Sequence, residues 1–172
     1  MDSLLKYAEL FQILSAGFTG GDLGKKATQK MFYFFERKGI ELNLKYGIHY
    51  YGPYSSRLDN LMHILESEDY LSIDTSGTTH KISLGNEHLS KSVLSESEKE
   101  NAKLVIENFA HRTPMELEAL TTMDFIANSI FDKHYSKEKL INKFKEIKGT
   151  KFNNDAIEDT IQELNRLNFI SV

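Results

Sequence analysis

Residues 46–84, YGIHYYGPYSSRLDNLMHILESEDYLSIDTSGTTHKISL, constrain the fold more than any other part of this chain. They give, in order, an aromatic extended run, a Gly-Pro break, an amphipathic helix and two short alternating strands. Leu58, Leu61, Met62 and Leu65 recur at i, i+3, i+4 and i+7, the spacing that puts four side chains on one helical stripe. Leu71, Ile73, Ile82 and Leu84 alternate with Ser72, Asp74, Lys81 and Ser83, so each strand has one dry side, and Ser76, Gly77 and Thr78 supply a tight turn. Helix, strand, turn, strand is the outline of a winged helix.

The rest of the chain reads as helices around that outline. Leu4, Tyr7, Ala8, Phe11, Leu14 and Phe18 form one stripe that Gly17 and the pair Gly20 and Gly21 end. A second helix is expected over residues 22–38, with Ala27, Met31, Phe34 and Phe35 inward, Lys26, Lys30, Tyr33 and Arg37 on another face, and Gly39 as its stop. That basic face is either an ordinary solvated surface or a dock for an acidic partner or phosphates. Residues 45–51 read as a short strand that Gly52 and Pro53 terminate, after which Ser55 or Ser56 caps the next helix.

Residues 85–97 lose the apolar period and suggest a connection, with a boundary near Ser92. Ser95 with Glu98 is a capping box for a helix burying Ala102, Val105, Ile106 and Phe109. Thr113, Pro114 and Glu116 open a further helix with Leu117, Leu120, Met123, Ala127, Ile130 and Phe131 inward and Asp124, expected to be partly solvated, at its edge. Ser136 caps a helix closed by Gly149, and Asn154 or Asp155 starts the last one, which leads into an extended end at residues 169–172. The expected class is mainly α (α+β): an N-terminal winged-helix-like lobe with a small β-hairpin over residues 1–92, then a C-terminal helical lobe over residues 93–172 packed on the first.

Composition narrows the function. Of 172 residues none is cysteine, which excludes disulfides, thiolate metal sites and cysteine nucleophiles and makes a cytoplasmic setting the default expectation. The N-terminal residues carry Asp2 and Glu9 and lack the basic, small-residue pattern of a secretory signal. The longest apolar run, residues 31–35, is far below the ~18 residues of a membrane span. The net charge of −4 weighs against a nucleic-acid binder. The helix facing outward in the winged-helix outline would present Ser56, Arg57, Asp59, Asn60, His63, Ile64 and Ser67, a set that suits a protein surface better than a phosphate-lined groove.

No Gly-rich phosphate loop, G-x-S-x-G elbow or H-E-x-x-H pair is present, and the histidines have no ligand spacing. The expectation is a non-enzyme with no cofactor and no metal. A cleft enzyme using His49, Tyr50, Tyr51, Tyr54 and Asp59 is the weakest of the readings. The partner-binding residues expected are Lys26, Lys30, Tyr50, Tyr51, Tyr54 and Arg57, because Tyr and Arg combine contact area with a hydrogen-bonding tip.

Residues 28–34, TQKMFYF, followed by GIHYYGPYS at 47–55, are similar to the YwgA-like bacterial proteins, a family related to the SocA-like, or Panacea, antitoxin domain. Gln29, Lys30, Tyr33, Gly52 and Pro53 agree with that family's pattern, whereas Thr28 stands where a leucine is usual. ELEALTT at 116–122 and LNRLNFI at 164–170 resemble further segments of it. The resemblance implies a mainly helical, non-catalytic protein that binds another protein (a toxin, protease or defence component) as an antitoxin, adapter or phage anti-defence factor. A DNA-binding winged-helix regulator is the alternative.

Overall fold

A computed structural model describes residues 2–172. Helices α1 (Asp2–Gly17) and α2 (Lys25–Arg37) lead into strands β1 (Gly47–His49) and β2 (Gly52–Tyr54). Helix α3 (Ser56–Ser67) and strands β3 (Leu71–Asp74) and β4 (Lys81–Leu84) follow. Then come α4 (Glu96–Phe109), α5 (Pro114–Phe125), a π-helical turn (Ile126–Ile130), α6 (Lys137–Lys148) and α7 (Asn154–Arg166). The class is mainly helical with two small antiparallel hairpins, β1-β2 and β3-β4. No helix among the described residues is long and apolar enough to cross a membrane.

The chain divides into two units, but not at Ser92. The first holds the chain up to Tyr46 and Ser55–Pro114; the second holds Gly47–Tyr54 and Met115–Val172. The polar run expected to link lobes is instead tied to α1: Glu9 accepts from Ser92 Oγ at 2.6 Å, Val93 N at 2.7 Å and Leu94 N at 3.0 Å. Helix α4 therefore stays with the first unit, where Phe109 stacks face to face on Phe34 with ring centroids 3.8 Å apart.

In the first unit, α2 forms the centre. Every residue from Ala27 through Phe35 is buried, and Phe32 packs against Phe11 at 4.7 Å and edge-on to Phe35 at 5.3 Å. A helix buried all round has no outer face, so the expected basic face is absent over this run: Lys30 is only 4% exposed and Tyr33 is also buried. Burying each aromatic contributes about 2–3 kcal/mol, and Phe32→Ala, which also leaves a cavity among Phe11 and Phe35, is expected to cost about 3–5 kcal/mol.

After α2 the chain turns at Gly39 (φ 94°) and runs without strand pairing to Tyr46, burying Ile40, Leu42 and Leu44 in alternation. Its backbone groups are satisfied by side chains: Tyr7 OH donates to Leu42 O, Leu44 N donates to Glu36 Oε2 at 2.8 Å, and Ser55 Oγ donates to Leu44 O at 2.5 Å. Ser55, not Ser56, caps α3, accepting from Leu58 N at 3.0 Å. Leu58, Met62 and Leu65 are the buried stripe of that helix.

Strands β3 and β4 pair in the register Leu71↔Leu84 to Asp74↔Lys81, with Leu71 and Ile82 buried. The loop between them spans residues 75–80, longer than the tight turn expected at 76–78. Gly24 bridges Lys81, and Ile82 N donates to Leu23 O at 2.8 Å, so the segment ahead of α2 lies along β4.

In the second unit Ser136 caps α6 as expected; α7 starts at Asn154, one of the two expected positions, but its cap is Asn153, which the sequence reading did not single out. Asp124, expected to be partly solvated, is fully buried and accepts from Asn128 Nδ2 at 2.9 Å; a carboxylate inside a helical core needs such a partner. The C-terminal residues form no strand. Phe169 N donates to Leu164 O at 2.9 Å around Asn168 (φ 61°), the same corner that Tyr70 N, Leu65 O and Asp69 (φ 59°) make after α3. Both corners are the same helix-ending motif.

Candidate interaction surface

The aromatic run folds as a hairpin, not as one strand ended by Gly-Pro. Its register is Gly47↔Tyr54, Ile48↔Pro53 and His49↔Gly52, which leaves Tyr50 and Tyr51 as a two-residue loop. Gly52 takes φ 93°, a conformation that costs a side-chain-bearing residue energy, and Pro53 lacks an N–H but sits on a two-stranded ribbon where both strands are edges. The single strand read over residues 45–51 would put Tyr50 and Tyr51 on opposite faces. At the loop they sit together, edge to face, with centroids 4.8 Å apart. Tyr50 is 81% exposed and Tyr51 45%. Tyr54 is half-buried, its ring 4.8 Å from that of His49.

The tip rests on a charge cluster that sequence reasoning missed. Lys148 Nζ donates to Tyr50 O at 2.9 Å and to Glu118 Oε1 at 2.6 Å. Lys151 Nζ donates to Glu118 Oε1 at 2.8 Å and lies 5.1 Å over the Tyr51 ring and 5.9 Å over that of Tyr50. Burial opposes ionisation of Glu118, but the hydrogen bonds from Lys148 and Lys151 outweigh it and hold the carboxyl below the usual range. Burial pushes the Lys148 pKa down, against the pull of Glu118. The sequence signal was the run of lysines closing α6 beside a glutamate on an apolar stripe.

The remaining expected residues lie in the first unit. Lys26 is exposed, Lys30 is buried, and Arg57 is exposed with Nη1 donating to Asn43 O at 2.7 Å. On the outer face of α3, Asp59 accepts from Lys25 Nζ at 3.1 Å, and His63 lies 3.8 Å from Glu66. An open depression of about 570 Å³ is lined by Ser3, Lys6, Tyr7, Glu41, Leu42 and Val93. No group of three His, Asp or Glu that could hold a metal ion occurs among the described residues. No protein-family model matches the chain, and no curated protein matches it.

Proposed function

We propose that this protein is a non-catalytic interaction module that binds and controls another protein, in the manner of an antitoxin, adapter or anti-defence factor. The observation that carries the reading is the pair of exposed tyrosines at the β1-β2 tip, held by Lys148 and Lys151. Two adjacent aromatic rings in solvent cost a folded protein solubility, and Tyr is enriched where partners dock. The YwgA-like resemblance agrees with it, and several of its residues, Gln29, Gly52 and Pro53, are those that shape the segment around the tip.

Helices α2 and α3 followed by β3 and β4, with the Leu23 to Gly24 segment along β4, support reading the first unit as winged-helix-like. The outer face of α3 favours a protein partner over DNA within that reading, because Asp59 and Glu66 stand on it and Arg57 is turned onto a backbone carbonyl. Lys26 and Arg57 join the proposed contact set in the first unit, and Tyr50, Tyr51 and Tyr54 in the second.

The test is tagged full-length chain expressed with its neighbouring genes. Tyr50→Ala with Tyr51→Ala is expected to lose the co-purifying partner at unchanged Tm. Retention of the partner by that variant rejects the surface.

A further inference from the structure

The chain is acidic overall, yet residues 133–151 carry seven lysines against two glutamates. Two of these lysines are already paired: Lys137 with Glu158 of α7 at 2.5 Å and Lys143 with Glu146 of its own helix at 2.9 Å. Lys148 and Lys151 share the single carboxylate Glu118, so the cluster under the tyrosine tip holds two cations and one anion. Lys145, exposed, stands three residues before Lys148, close to one helical turn along the axis. Positive charge in excess thus accumulates at the end of α6 that carries the hydrogen bond to Tyr50.

We propose that the Tyr50 and Tyr51 tip, with Lys145 and Lys151, is a docking site for an acidic protein segment in which Asp or Glu alternates with apolar residues. This rests on the interaction-module reading and names the partner's chemistry. Lys145 meets a carboxylate directly and the surplus charge of Lys148 and Lys151 over Glu118 adds to the attraction, while the tyrosine rings and Ile48, 37% exposed, cover the apolar residues. The hydrogen bond from Lys148 fixes the backbone of Tyr50 before the partner arrives, so less conformational freedom is lost on association.

A single-stranded nucleic acid fits less well. The two rings stand at 86° to each other, and the Lys151 ammonium lies over both, which leaves no parallel pair of open faces for successive bases. Phosphates also call for a row of free cations, whereas Lys137 and Lys143 are already paired.

The experiment uses the full chain and a fluorescein-labelled peptide of repeated Glu-Glu-Leu triplets, followed by anisotropy at low and high salt. Saturable binding is expected, weakened by salt and by roughly tenfold in Lys145→Glu and in Tyr50→Ser with Tyr51→Ser. Lys145 is exposed, so its reversal leaves Tm unchanged; should it not, Lys145→Gln replaces it. Absence of saturable binding, equal binding by the variants, or tighter binding of an oligothymidylate of matched charge overturns the proposal. If wild type and Lys145→Glu capture a cellular partner equally, the interaction-module reading stands and the acidic-segment inference falls. Peptide binding lost in the variants, with no partner captured by the wild type, supports the inference and counts against that reading.

Discussion

Gln29 holds both backbone polar groups of Ser55: its Nε2 donates to Ser55 O at 2.9 Å and its Oε1 accepts from Ser55 N at 2.8 Å. One amide thereby does the work of a neighbouring strand, and all of it is buried. Gln29→Leu leaves the buried Ser55 N–H without a partner, at a cost of about 1–3 kcal/mol, while Ser55 O keeps its bond from Asp59 N at 3.2 Å. The expected fall in Tm is roughly 3–10 °C for a chain of this size. An unchanged melting curve would show that the clamp is dispensable.

Among the described residues Glu118 is the carboxylate that pairs with both Lys148 and Lys151, and the Lys148 side chain is 2% exposed. Glu118→Gln strands a buried cation and is expected to cost about 3–5 kcal/mol at neutral pH, measured by urea denaturation. Because the folded pKa of Glu118 lies below its ordinary value near 4.5, its contribution is present above that pH and is lost as pH falls through the folded value. Glu9 behaves alike: burial opposes its charge, but the Ser92 hydroxyl and the Val93 and Leu94 amides hold its pKa down. Stability of the wild type should drop below about pH 4.5, and less steeply in Glu118→Gln; parallel acid profiles for the two proteins count against this linkage.

A Cβ on Gly85 would lie 2.0 Å from Asp69 O and 2.6 Å from Asp69 C, both backbone atoms that cannot swing aside. Gly85→Ala is expected to destabilise by about 1–3 kcal/mol through overpacking. Gly77, with nothing nearer than 3.8 Å, is the control, and Gly77→Ala should stay within roughly 0.5 kcal/mol. Thermal melts of the pair distinguish packing from a general intolerance of change in the β3-β4 region.

Thr28 is fully buried, and its hydroxyl has no hydrogen-bond partner among the described residues. Thr28→Val keeps the shape and removes the unpaired group, so a gain of about 1 kcal/mol is expected by chemical denaturation. A loss instead would mean that the hydroxyl is satisfied in solution.

Duplex DNA should bind no tighter than the micromolar range at physiological salt, with no sequence preference, because the outer face of α3 carries Asp59 and Glu66 beside its one arginine. Sub-micromolar binding with a steep salt slope in polarisation measurements would promote the regulator reading.

Helix positions were legible wherever an apolar period met a cap: Ser95 with Glu98, Ser136 and the Leu58, Met62, Leu65 stripe all stand as the sequence implies. Periodicity failed where burial is not one-sided. Helix α2 is enclosed, so Lys30 and Tyr33 obey no amphipathic rule, and Asp124 is buried because Asn128, one turn later, supplies a donor. The alternation of Ile40, Leu42 and Leu44 was present in the sequence, but its backbone partners are the side chains of Tyr7, Glu36 and Ser55 and not a neighbouring strand. The candidate site was legible in part. Tyr50 and Tyr51 stood out by type, whereas their union at a hairpin tip depends on Gly52 adopting positive φ, and Glu118, Lys148 and Lys151 meet only through folding.

The hairpin Gly47–Tyr54 belongs to the second unit, although it is flanked in sequence on both sides by the first. Lys148 reaches Tyr50 across 98 positions of chain. During synthesis the tip therefore leaves the ribosome roughly 5–20 s before the lysine that anchors it. Nor can the second unit be excised as one contiguous fragment, since any cut that frees residues 115–172 removes the tyrosines along with the first unit. Attempts to dissect this protein by truncation should instead join residues 47–54 to the later segment by permuting the chain.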